Sequence, residues 1–169
     1  MLMSVTVKLS DVIDALESAS EELSSYLDRR TGELIQLSSE EIQAAEDDAL
    51  ISEYPDWQRD SILKAREVLG ASEDFIELPG EFDINEYQIM EEFCLTLNDQ
   101  RAGNELLRLI KGSGAFRRFK NAIHEIGVEK AWYEFRGETL ERLAIEWLEE
   151  NQISYSRNDD AIHLPEGTA

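Results

Sequence analysis

Apolar residues at Leu9, Val12, Ile13 and Leu16 share one helical stripe in "LSDVIDALES", and Ser10 is placed to cap that helix. The period then shortens to two. Leu23, Ser25 and Leu27 alternate with Ser24 and Tyr26, which predicts a strand, and residues 28–32 predict the turn into a second strand. Gly32 is the turn residue best suited to positive φ, so the pair reads as a hairpin. Ser38 and Glu41 have capping-box spacing and open a helix expected to reach about Ile51. Pro55 interrupts it. Asp56 is expected to cap the next helix, with Trp57, Ile62, Leu63, Ala65 and Val68 or Leu69 as its buried stripe and Gly70 as its stop. "DFIELPG" predicts a third, short strand beside the hairpin.

From Asp83 the pattern turns almost wholly helical. "INEYQIMEEFCLTL" offers Ile84, Tyr87, Ile89 or Met90, and Phe93 or Cys94 to a core. Asp99 caps the following segment, and Gly112, Ser113 and Gly114 end that helix and begin another. In that next helix Phe116, Phe119, Ala122, Ile123 and Ile126 gather on one side, Arg117, Lys120 and His124 on the other, and Arg118 at the flank. The last helical region, residues 129–150, places Trp132, Phe135, Leu140, Leu143 and Trp147 near helical spacing, with Gly137 as a point of bending or breakage. Phe116, Phe119, Trp132, Phe135 and Trp147 are expected in the core. The fold class that results is α+β, mostly helical, with a small antiparallel sheet made of the hairpin and one short strand. Residues 1–155 are expected to form one globular domain, and residues 156–169 a flexible acidic tail.

Composition agrees with a packed domain: 42% of the 169 residues are hydrophobic, enough for a core. Charge changes the picture more. With 16 Lys and Arg against 37 Asp and Glu, the formal charge of -21 repels nucleic acid and anionic membranes over most of the surface. The exception is local, since residues 101–142 hold nine basic and six acidic residues. No apolar run is long enough to span a bilayer and the N-terminus does not read as a signal peptide, so a cytoplasmic location is expected, without membrane partners. Cys94 is the single cysteine, which excludes an internal disulfide, and its apolar setting predicts a core position.

The basic cluster in "GSGAFRRFKNAIHE" is the candidate chemistry. Its plain reading is a solvated face paired with this chain's many carboxylates, worth about 0 to 1 kcal/mol per surface pair. Its sharper reading places an anion at the helix N-terminus beside Gly112 to Gly114, held by backbone N–H groups, the Ser113 hydroxyl and a guanidinium fork. The spacing of a phosphate-binding Walker loop is absent. Clustered cations with nearby aromatics also suit a nucleic-acid backbone, although no zinc-finger or RNP-like pattern occurs. Neither His124 nor His163 belongs to a catalytic motif, and the acidic runs 46–48 and 158–160 lack calcium-loop spacing. No cofactor and no metal site is implied. A carboxylate-only hydrolase would be invisible in one sequence. Glu21, Glu22, Glu40, Glu41, Glu46, Asp47 and Asp48 suggest a different use, as an acidic surface attracting a basic partner or mimicking nucleic acid.

The motifs "YLDRRTGELIQL", "FIELP" and "GSGAFRRFK…WYEFR…AIEWLEENQI", in that order, resemble a bacterial uncharacterised family, number 0158 in the series for proteins of unknown function. The resemblance covers most of residues 5 to 155. It implies no activity and no catalytic residues. The residues themselves therefore point to a non-enzymatic binding module whose surface includes Ser113, Arg117, Arg118, Lys120, His124 and Arg136, and whose partner is an acidic protein surface or nucleic acid. The alternative is a small enzyme with a phosphate- or carboxylate-handling site near Ser113 and His124.

Overall fold

A computed structural model of the protein describes residues 5–157 and the backbone of residues 162–163. These residues form two compact units: unit 1 takes those up to Ile84 and those from Leu143 onward, and unit 2 is Asn85–Arg142.

In unit 1, strand β1 (Thr6–Lys8) runs directly into helix α1 (Leu9–Glu17). Lys8 is therefore the N-cap, without a side-chain cap, and Ser10 falls inside the helix and not before it. The predicted hairpin is present as β2 (Leu23–Asp28) and β3 (Leu34–Ser38), antiparallel in register from Leu23 opposite Ser38 to Leu27 opposite Leu34. Gly32 has φ +80°, as the turn requires. Beyond helices α2 (Ser39–Glu46) and α3 (Asp56–Gly70), strand β4 (Phe75–Glu77) pairs with the other edge of β2, giving the order β3-β2-β4.

A second small sheet is present that the apolar pattern does not display. After the short helix α4 (Glu81–Ile84), the chain returns to unit 1 only near its C-terminal end. There β5 (Ser154–Ser156) pairs in parallel with β1, and β6 (Ile162–His163) pairs antiparallel with β5. Strands of two or three residues are too short to display a period of two. Within the span expected as a tail, Ser156 thus closes β5 and the backbone of 162–163 is paired; 158–161 and 164–169 lie outside the described residues.

The Ser38 capping box forms in full: Ser38 Oγ accepts the Glu41 N–H at 3.1 Å, and Glu41 Oε2 accepts the Ser38 N–H at 2.9 Å. α2 stops at Glu46, short of Ile51, because Asp48 is left-handed at φ 52°. Asp56 is the first residue of α3, with Pro55 in the capping position. The buried face of α3 is Gln58, Ile62, Ala65 and Val68, so Trp57, Leu63 and Leu69 are exposed, contrary to expectation. Apolar residues occur at two neighbouring phases of this helix. The chosen phase is the one whose Ala65 and Val68 join Ile35, Leu37 and Phe75 in one core cluster.

Polar side chains hold the hairpin turn. Asp28, 2% exposed, accepts the Arg30 backbone N–H at 2.8 Å and Arg30 Nε at 3.1 Å. Arg30 Nη2 also reaches Glu67 of α3 at 3.1 Å, and the guanidinium lies 5.3 Å from the Phe75 ring centroid. Burial acts to raise the Asp28 carboxyl, but its hydrogen bonds with Arg30 outweigh it and hold the group below the usual carboxylate range.

Unit 2 contains α5 (Glu86–Thr96), α6 (Gln100–Leu109), α7 (Ala115–Ile126) and α8 (Glu129–Glu150) as far as Arg142. Asp99 caps α6 as predicted, accepting the N–H groups of Arg101 and Ala102. α8 passes through Gly137 without a break. Phe93, Phe119 and Trp132 form an edge-to-face core, with Phe119 and Trp132 centroids 4.8 Å apart and Phe135 5.6 Å from Phe93. Cys94 is buried as expected, and desolvation pushes its thiol up to about 11. Tyr87 is 41% exposed and not part of that core. α5 and α6 approach closely at Gly103, where an added Cβ would lie 2.6 Å from the Cys94 carbonyl oxygen.

Candidate functional site

Helix α7 is amphipathic as the sequence indicates, burying Phe119, Ala122 and Ile123. Phe116 departs from expectation: it is 45% exposed, in the first turn of the helix. Lys120, one turn on, places Nζ 4.9 Å from the Phe116 ring centroid and 6.0 Å from that of Tyr133 in α8. Tyr133 is also half exposed. Two accessible rings thus flank one ammonium. Tyr133 was missed in the sequence because its neighbour Trp132 takes the buried phase; its own phase, about 100° away, signals exposure.

The two adjacent arginines do different things. Arg117 is exposed and has no ion-pair partner among the described residues. Arg118 is folded back over the α6–α7 junction. Its Nε donates to Leu109 O at 2.7 Å, Nη2 to Lys111 O at 2.7 Å and Nη1 to Ser113 O at 2.6 Å. These carbonyls lie at and beyond the C-terminus of α6, where backbone acceptors lack helical partners, so the guanidinium serves as a C-terminal cap. It is committed to the protein's own backbone and not presented as a fork for an anion.

Arg136 is likewise engaged: its Nε donates to Glu86 Oε1 at 2.6 Å, and both side chains are mostly buried. Ser113 lies just before the left-handed N-cap Gly114, while His124 lies in the last turn of α7. About 15 Å of helix rise separates these two residues, so they do not share one constellation. His124 Nδ1 is 3.0 Å from Glu129 Oε2, and that hydrogen bond holds the imidazole above its ordinary value. A raised value means the pair's contribution is complete below about 6.5 and fades as pH rises through the folded value.

Charge divides sharply between the units. The sequence span of unit 1 holds seven Lys and Arg against 27 Asp and Glu, whereas unit 2 holds nine against ten. Within unit 2, residues 100–126 hold six basic residues and two acidic ones. In unit 1, Glu41 of the proposed acidic surface is spent on the capping box, and Asp48 lies 3.7 Å from Arg66. Elsewhere in unit 1, a depression of about 580 Å³ is lined in part by Asp11, Asp14, Ser18, Glu33 and Gln36. Among the described residues no group of three or more His, Cys, Asp or Glu is arranged to hold a metal ion, and no helix is long and apolar enough to cross a membrane.

No curated protein and no solved structure matches the chain. A protein-family pattern does. It extends over residues 3–168, taking in the hairpin turn, the close approach at Gly103 and the whole exposed face of α7, so the chain belongs to the Uncharacterised protein family (UPF0158).

Proposed function

We propose that the protein is a non-enzymatic binding module that holds an anionic partner on the exposed face of α7 in unit 2. The observation that supports this most is the state of two cations. In a chain with 37 carboxylate side chains, Arg117 and Lys120 remain exposed without an ion pair among the described residues. The plain reading of the basic cluster, a solvated face neutralised by surface carboxylates, would have them paired, as Arg30, Arg108 and Lys130 are. Arg29, Arg101, Lys111 and Arg142 are likewise exposed without an ion pair among the described residues, and what singles out Lys120 is the two exposed rings beside it. Arg118 and Arg136 have structural work, at the α6–α7 junction and with Glu86; the direct contacts fall to Arg117 and Lys120, with Phe116 and Tyr133 beside Lys120.

The chain's overall negative charge sets the conditions of the test. At about 0.1 M salt the Debye length is about 10 Å, so distant carboxylates are screened while a partner in contact still feels the local cations. A labelled heparin oligosaccharide, a polyanion with no bases, should bind the wild-type chain under those conditions. Arg117→Glu with Lys120→Glu should weaken it about tenfold or more, and added salt should weaken the wild type. Arg118 stays intact in this variant, so that the α6 cap is not lost. Wild-type binding unaffected by the double reversal, or no binding at all, would reject the proposal.

A further inference from the structure

We infer that the partner held on this face is single-stranded nucleic acid, with bases stacked on Phe116 and Tyr133; the inference rests on the anion-binding reading of the same site. Exposure of the rings is what separates this partner from an acidic protein. Phe116 is 45% and Tyr133 49% exposed, and each presents π surface beside the Lys120 ammonium. An acidic protein surface can bury such rings, but its carboxylate-bearing groups have no flat π faces to stack on them. A single strand offers both matching chemistries at once: phosphates for Arg117 and Lys120, and unpaired base faces for the two rings. Duplex DNA offers only the first, because its bases are already stacked on one another.

Charge complementarity fixes where the strand lies. Arg117 and Lys120, the exposed cations of α7, both lie in its N-terminal half, so the phosphate track belongs there. Toward the C-terminal end, Glu125 and Glu129 flank His124 and oppose an anion. A site with two rings and two cations outside any ion pair is short, covering a few nucleotides. It stacks bases without reading their hydrogen-bonding edges, and so selects single strands over duplex more than it selects sequence.

The test compares three probes by fluorescence anisotropy at about 0.1 M salt: a labelled oligouridylate, an abasic sugar-phosphate strand of equal length, and duplex DNA. The oligouridylate should bind about tenfold or more tighter than the abasic strand. Phe116→Leu with Tyr133→Leu, which keeps apolar side chains at two half-exposed positions and so leaves the fold in place, should remove that difference while abasic binding persists. Phe116→Trp should retain it. Equal affinity for oligouridylate and abasic strand in the wild type would overturn the stacking inference. If heparin still binds in an Arg117- and Lys120-dependent manner, the anion-binding reading survives that result. Polyglutamate displacing the oligouridylate at lower charge-equivalent concentration would also overturn it, in favour of an acidic protein partner. Failure of every polyanion to bind would reject both readings together.

Discussion

Asp28 shows how one buried carboxylate organises the hairpin turn, joining the backbone and side chain of Arg30 and, through Arg30, Glu67 of α3. Hydrogen bonds to charged groups contribute about 1.5 to 3 kcal/mol, so Asp28→Ala should destabilise the protein by about 2 kcal/mol in urea unfolding. The folded carboxyl ionises at lower pH than the unfolded one. Its contribution is therefore complete above about 3.9 and is lost as pH falls through the lower folded value. The gap between wild type and Asp28→Ala should be constant near neutrality and close in acid; a gap unchanged in acid would show that the carboxylate charge contributes little. The sequence marks residues 28–32 as a turn, but not that its acid is buried, because that depends on α3 and β4 arriving from elsewhere in the chain. Arg117 and Arg118 make the same point. Adjacent and chemically identical, they differ only in which way the helix turns them, and only Arg118 meets the carbonyls left by the preceding helix.

Among the elements, the amphipathic ones and the short strand β4 are legible in the sequence, whereas β1, β5 and β6 are not. The hairpin, the Ser38 box and the Asp99 cap follow from local chemistry that the sequence displays directly. β1, β5 and β6 do not, since each is two or three residues long and β1 finds its partner β5 almost a whole chain away. The phase of α3 and the exposure of Phe116 are tertiary choices among apolar residues that the period cannot rank. Glycines also divide by surroundings. Gly103 lies within helix α6, where alanine would ordinarily be favoured by up to about 1 kcal/mol. Its Cβ would meet the Cys94 carbonyl oxygen at 2.6 Å, which is backbone and cannot swing aside. Gly103→Ala should therefore destabilise, by about 1 to 3 kcal/mol as overpacking does. Gly137 in α8 has nothing within 4 Å of its added Cβ, so Gly137→Ala should stabilise by up to about 1 kcal/mol. Thermal unfolding of the two variants should move in opposite directions; a Gly103→Ala protein as stable as the wild type or more so would contradict the close α5–α6 approach.

Over the whole molecule, the net charge conceals an uneven distribution. The -21 of the chain is concentrated in the span of unit 1, while unit 2 is close to neutral and basic along α6 and α7. The sequence revealed the basic block, because charge can be counted without a fold. It did not reveal which cations remain available, nor that two aromatic rings stand beside them, because both depend on packing. An anionic partner seated on the N-terminal half of α7 would perturb the amides of that helix first. Residue-resolved amide shifts on titration with heparin oligosaccharide, at about 0.1 M salt, read this out. Shifts concentrated at residues 115–121 and around Tyr133, reversed by added salt, are the expected result. Shifts spread over unit 1 with α7 unmoved would contradict it.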